Sequence, residues 1–143
     1  KGSSERIITT KDNLKILPII CYEIVFDEIL KNINKKEIDI LINITNDSWF
    51  GTRSGPYQHF YISRIKALVA NKPLLRVSNN GISAIIDNNG KIIKSSKLNK
   101  ITQLKYKLNI NNHKSYFFFH KIFMYYLFSI FIFLILYSKR KEI

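Results

Sequence analysis

Cys21, the single cysteine, is the residue with the clearest chemical potential in this sequence. It stands in Ile19-Ile20-Cys21-Tyr22-Glu23, where an apolar run ends and a helical pattern begins. A thiol on a strand-to-helix turn projects above its sheet, close to free backbone N–H groups that can hold a developing oxyanion. A helix N-terminus beside it would favour the thiolate, the nucleophilic form. In an apolar setting the same residue also fits a small buried hydrophobe. One cysteine excludes an internal disulfide framework and a cysteine-rich zinc site.

A second segment, Asn46-Asp47-Ser48-Trp49-Phe50-Gly51, is followed closely by Gly55-Pro56-Tyr57-Gln58-His59. It sets polar groups and the only tryptophan just after a β-branched run, at the edge where open α/β sheets meet their ligands. An ordinary loop with an aromatic plug fits the same residues. His59 has no second histidine at metal-ligand spacing, so neither a metal nor another cofactor is expected.

The elements that position these groups follow from periodicity and punctuation. Residues 14–21 read as a buried strand, 23–32 as a short helix, and 38–45 as a second, β-branched strand. Pro18 removes a ladder hydrogen bond from the first strand and predicts a local irregularity. Gly55 and Pro56 open a longer helix, which Asn71, Lys72 and Pro73 end. Its apolar face is expected at Tyr61, Ile65 and Leu68, flanked by Ile62 and Val69. Residues 74–78, 82–87 and 91–95 read as strands separated by Asn79-Asn80-Gly81 and Asn88-Asn89-Gly90, both hairpin signals. A final strand is expected at 103–108. The order implies an α/β layered domain over residues 1–110, too short on its N-terminal side to cover both faces of its sheet.

Residues 122–138 form an uncharged, strongly apolar run, and Tyr116 to Phe119 lengthen it to a bilayer span. Lys121 lies near enough to the end to extend its ammonium to the headgroups. The expectation is a linker at 111–115, a transmembrane helix at 116–138 and a basic tail at 139–143. Lys139, Arg140 and Lys141 predict a cytoplasmic C-terminus, with residues 1–110 on the outer side.

At 143 residues the chain has the size of one ordinary domain. The formal charge of +13 would attract nucleic acid or an anionic membrane. The excess is mostly lysine, scattered through a chain rich in Asn, Ile, Phe and Tyr, so no groove-facing stripe forms and no nucleic-acid partner is expected. The first residues are Lys1 and Gly2 and the only methionine is Met124, which implies either a removed N-terminal part or a piece of a longer protein.

Five ordered phrases carry a family resemblance: Ile20-Cys21-Tyr22-Glu23, the Asn46 to Gly51 segment, Gly55-Pro56-Tyr57-Gln58-His59, Lys72-Pro73-Leu74-Leu75-Arg76 and Asn79-Asn80-Gly81-Ile82-Ser83. From about Leu14 to its end the chain resembles the C-terminal part of the apolipoprotein N-acyltransferases, a membrane-embedded branch of the nitrilase (carbon-nitrogen hydrolase) superfamily. The resemblance implies the C-terminal part of an αββα sandwich facing the periplasm from the bacterial inner membrane, and a Glu-Lys-Cys triad. The cysteine would take an acyl chain from a phospholipid as a thioester and pass it to the N-terminal diacylglyceryl-cysteine of a lipoprotein. Cys21 matches the nucleophile. Tyr22 supplies an oxyanion N–H, while its ring and Glu23 shape the pocket. Trp49 and Phe50 match the acyl-chain loop, and Arg64, Arg76 and Asn79 match structural polar positions. The triad's Glu and Lys lie upstream of any residue here, so this piece alone is expected to be inactive. The alternatives are a membrane-tethered amidase of the same superfamily and a non-catalytic, membrane-anchored relic.

Overall fold

The computed structural model describes residues 6–107 and 116–141. Two compact units are present, residues 1–113 and 114–143. The first is built on a mixed six-stranded sheet whose strands lie side by side in chain order. These are β1 (Ile8–Thr9), β2 (Lys15–Ile20), β3 (Ile40–Asn46), β4 (Leu74–Asn79), β5 (Ala84–Ile86) and β6 (Ile92–Ser95). The central trio β2, β3 and β4 is parallel, and the strands outside it are antiparallel to their neighbours.

The parallel strands are joined through helical connections, as parallel pairing requires. After β2 a five-residue 3₁₀ helix (Cys21–Val25) and a one-turn α1 (Glu28–Lys31) replace the single helix expected at 23–32. The break falls at Phe26, whose extended backbone (φ −82°, ψ 138°) no helix can continue. After β3 comes α2 (Ser54–Ala70). Pro56 occupies its first turn, where a missing N–H leaves no intrahelical bond unmade, and Asn71 closes it in the left-handed region at φ 53°.

One face of α2 packs on the sheet, but not the expected one. Pro56, His59, Phe60, Ser63, Lys66, Ala67 and Ala70 are buried, whereas Tyr61, Ile65 and Val69 are exposed. The polar members of the buried face each have a partner below: His59 meets Asp47, Ser63 meets Arg76, and Lys66 pairs with Asp27. These paired groups, with small Ala67 and Ala70, let the helix approach closely and outweigh the apolar periodicity. Around them Leu17, Ile19, Ile24, Leu41, Phe60, Leu74 and Ile86 form the core.

The other face of the sheet is open. Register aligns Ile20, Ile44 and Val77 across β2, β3 and β4, and each is more than half exposed. Pro18 sits in a continuous strand without the expected irregularity. The Lys15 carbonyl accepts from Asp39 N–H on the β3 side, so by alternation residue 18 faces β1, whose register with β2 ends at Ile8 opposite Ile16. No ladder bond is lost there. Residues 103–107 form no strand; instead Lys94 Nζ donates to the Lys105 carbonyl, and Leu108 lies outside the described residues.

The second unit is the helix α3 (Tyr116–Lys141), which runs through the expected span and into the basic segment beyond it. Its described side chains, 122–135 and Tyr137, are exposed on every side. Among the described residues, no helix is long and apolar enough to cross a membrane. The linker expected at 111–115 lies outside the described residues.

Candidate active site

At the end of β2 the backbone turns abruptly. Cys21 has φ 50°, a left-handed conformation that a non-glycine residue adopts only where its surroundings enforce it. Two side chains do so. The Glu23 carboxylate accepts from the Ile20 N–H at 2.8 Å and pairs with Arg6. Asn43 Nδ2, on β3, donates to the carbonyls of Ile19 (3.0 Å) and Cys21 (3.4 Å). The turn is thereby clamped from both sides, and Cys21 is left partly accessible.

The sulfur sits against the C-terminal end of β3. The Asn46 N–H, the Thr45 hydroxyl (3.6 Å from Sγ) and the Tyr22 N–H hold the thiol below its usual pKa, against burial and the Asp47 charge. Hydrogen bonds to the charged form favour it, so this environment shifts the thiol toward its thiolate. The donors are backbone groups and a hydroxyl, not the end of a long helix.

Beneath the sulfur lies a buried ion pair. Arg76 Nη2 donates to both Asp47 oxygens at 2.7 and 3.0 Å, and neither side chain has exposed surface. His59 Nδ1 lies 2.8 Å from Asp47 Oδ1, and Ser78 Oγ donates to Oδ2 at 2.9 Å. Burial alone would raise the Asp47 pKa, but the His59 bond, the Arg76 charge and Ser78 bring it down to about 2. Arg76 also bonds Asn43 Oδ1, Ser63 Oγ (3.0 Å) and the Ile82 carbonyl (3.2 Å), tying β3, α2 and the β4–β5 connection together. Gly81 makes room for this: a Cβ there would come 1.9 Å from Asp47 Oδ2 and 2.2 Å from Ser78 Oγ.

Above the turn is an aromatic cluster. The Tyr22 ring packs on Phe26, Phe50 and His59 at 5.7 to 5.9 Å, and Phe50 lies 5.0 Å from His59. Trp49, in the same loop as Phe50, is 83% exposed. Cys21, Tyr22, Phe50 and Arg76 are thus gathered into one region. Glu23 is engaged in fastening the turn. Arg64 is placed elsewhere: its Nε donates to the Gly90 carbonyl at 2.9 Å and its guanidinium lies over Tyr61. Asn79 contributes its carbonyl, which accepts from the Asp47 N–H at 3.2 Å. Among the described residues no group of His, Cys, Asp or Glu is arranged to hold a metal ion.

Sequence reasoning missed Thr45 and the roles of Asn43, Asp47, His59 and Ser63. A signal existed: Asn43, Thr45 and Asp47 alternate within and just past a β-branched run, which puts three polar residues on one strand face.

Residues 1–113 match the family of carbon-nitrogen hydrolases. The apolipoprotein N-acyltransferase of Rickettsia bellii is 48% identical over 104 residues, covering 73% of this chain and 21% of that protein. That of Rickettsia prowazekii is 47% identical over 105 residues, with the same coverage. The chain therefore spans about a fifth of the length of the curated relatives it matches. Among solved structures, Nit3 of Saccharomyces cerevisiae, from branch 10 of the nitrilase superfamily, is similar in fold with a TM-score of 0.55 at 22% identity, over 70% of this chain and 39% of Nit3. The nitrilase-like sheet, the clamped cysteine turn and these likenesses agree: the chain belongs to the carbon-nitrogen hydrolase family.

Proposed function

We propose that the intact protein carrying this chain is an apolipoprotein N-acyltransferase in which Cys21 is the nucleophile. The observation that carries the reading is the Cys21 turn, a sulfur exposed enough to react and surrounded by donors that favour its thiolate. The 47–48% identity to proteins of that name supports this reaction over others in the family. The thiolate attacks an acyl-ester carbonyl of a phospholipid, and the lysophospholipid leaves as a thioester forms. The α-amine of a lipoprotein's diacylglyceryl-cysteine then attacks the thioester, releasing the sulfur. Splitting one slow transfer into two easier ones is the gain from covalent catalysis. The Tyr22 N–H, which meets the sulfur in the resting site, is read as the donor for the carbonyl oxygen as it becomes anionic. The exposed Trp49 and the neighbouring Phe50 form the apolar approach for the acyl chain.

The chain spans about a fifth of the length of its curated relatives, and the rest of the machinery is read as belonging to the remainder of such a protein. The open face at Ile20, Ile44 and Val77 suits a second sheet that completes an αββα sandwich, and the proton-transferring Glu and the Lys of the triad belong to that part. The helix α3, uncharged over residues 122–138, is read as the terminal membrane span, with the basic segment at 139–143 in the cytoplasm and the catalytic unit in the periplasm. The test uses the intact protein with phospholipid and a diacylglyceryl-cysteine peptide. Lysophospholipid and N-acylated peptide should appear, and Cys21→Ser should abolish both. Full activity in that variant refutes the reading. Cys21-dependent hydrolysis of small amides without acyl transfer would assign the protein to the amidases instead.

A further inference from the structure

The hydroxyl of Thr45 lies between two acceptors, 3.6 Å from Cys21 Sγ and 3.3 Å from Asp47 Oδ1. Its single proton can serve only one of them at a time. The Asp47 carboxylate already has four closer contacts. His59 Nδ1 (2.8 Å) and Arg76 Nη2 (3.0 Å) meet Oδ1, while Arg76 Nη2 (2.7 Å) and Ser78 Oγ (2.9 Å) meet Oδ2. Those contacts match the four lone-pair positions of a carboxylate. A fifth donor at 3.3 Å, long for an O–H to O bond, adds little there. The sulfur, by contrast, has room for a hydroxyl donor. We propose that Thr45 directs its hydroxyl proton to the Cys21 sulfur and is the side chain that favours its ionised form, Asp47 being satisfied without it.

The inference rests on the reading of Cys21 as the nucleophile and adds a residue to it. Among the described residues the charges near the sulfur are Asp47, which opposes the thiolate, and Arg76, which is coupled to it favourably. These two are paired with each other. Tyr22 and His59 meet ring to ring, and Glu23 is turned to Arg6 and the Ile20 N–H. Thr45 is therefore the side-chain group through which a neutral substitution can change the thiolate without altering a charge. The Asn46 and Tyr22 N–H donors belong to the backbone and survive any such change. Thr45 itself is nearly buried on β3, where valine has almost the same shape.

The experiment follows alkylation of Cys21 by iodoacetamide in the intact protein across a pH series, read by mass spectrometry of the Cys21 peptide. Thr45→Val should move the midpoint of the alkylation profile upward by about one pH unit or more, a roughly tenfold slower reaction at neutral pH. Thr45→Ser, which keeps the hydroxyl, should restore the wild-type midpoint. Should the valine variant not accumulate, Thr45→Ala carries the same expectation. An unchanged midpoint in the hydroxyl-free variant overturns the role of Thr45. Cys21→Ser is assayed for acyl transfer in parallel. Its loss of activity beside an unmoved midpoint condemns this inference alone, and its retention of activity condemns the nucleophile reading.

Discussion

Removing one member of the Asp47–Arg76 pair should leave the other as an uncompensated buried charge. Asp47→Asn keeps the shape of the side chain but replaces an acceptor by a donor, facing a guanidinium that only donates. Arg76→Met removes the cation and its bonds to Asp47, Asn43, Ser63 and the Ile82 carbonyl. Both side chains are fully buried, so each single change should destabilise the first unit by about 3 to 5 kcal/mol. The double variant removes both charges and should lose less than the sum, by about 2 to 3 kcal/mol. Protease sensitivity of the intact protein across a urea series measures all four states on one scale. A double variant whose loss equals the sum within about 0.5 kcal/mol would refute the coupling. A single variant that loses less than about 1 kcal/mol would refute the claim that the pair is fully buried.

Asp47 should also set the acid limit of the fold. Its pKa falls from 3.8 to about 2 in the folded protein. Its stabilising contribution, roughly 2 kcal/mol, is therefore complete above about pH 5 and vanishes as the pH drops through about 2. Urea titrations from pH 6 to pH 2 should record that loss, and Asp47→Asn should flatten it. Gly81→Ala places a methyl 1.9 Å from Asp47 Oδ2 and should destabilise by about 1 to 3 kcal/mol through overpacking, measured by the same denaturation series. Trp49→Ala should leave stability within about 0.5 kcal/mol of wild type, as expected of an exposed side chain, yet raise the KM for the phospholipid donor in a steady-state assay.

The frame of this fold was legible because its strands are β-branched and its turns are punctuated. Residues 38–45 and 74–78 could be read as strands from composition alone, and they are β3 and β4. Pro56 and Asn71 likewise marked the two ends of α2. The buried side of α2 was not legible. Its orientation is set by His59, Ser63 and Lys66, whose partners lie 12 to 39 residues away, so local periodicity pointed to the wrong stripe. The β1 pairing was missed because a two-residue strand is too short to carry an alternation. Of the site, Cys21 was visible because it is a single reactive residue at a strand end. Thr45 was not, because its meaning depends on the sulfur of a neighbouring strand and on how many donors Asp47 already has.

The most direct measurement is capture of the acyl-enzyme. Intact protein incubated with a phospholipid of defined chain length, quenched in acid and digested, should yield a Cys21 peptide heavier by that acyl group, and hydroxylamine should remove the added mass. An unmodified Cys21 peptide under turnover conditions, or an acyl group found on another residue, would contradict the account.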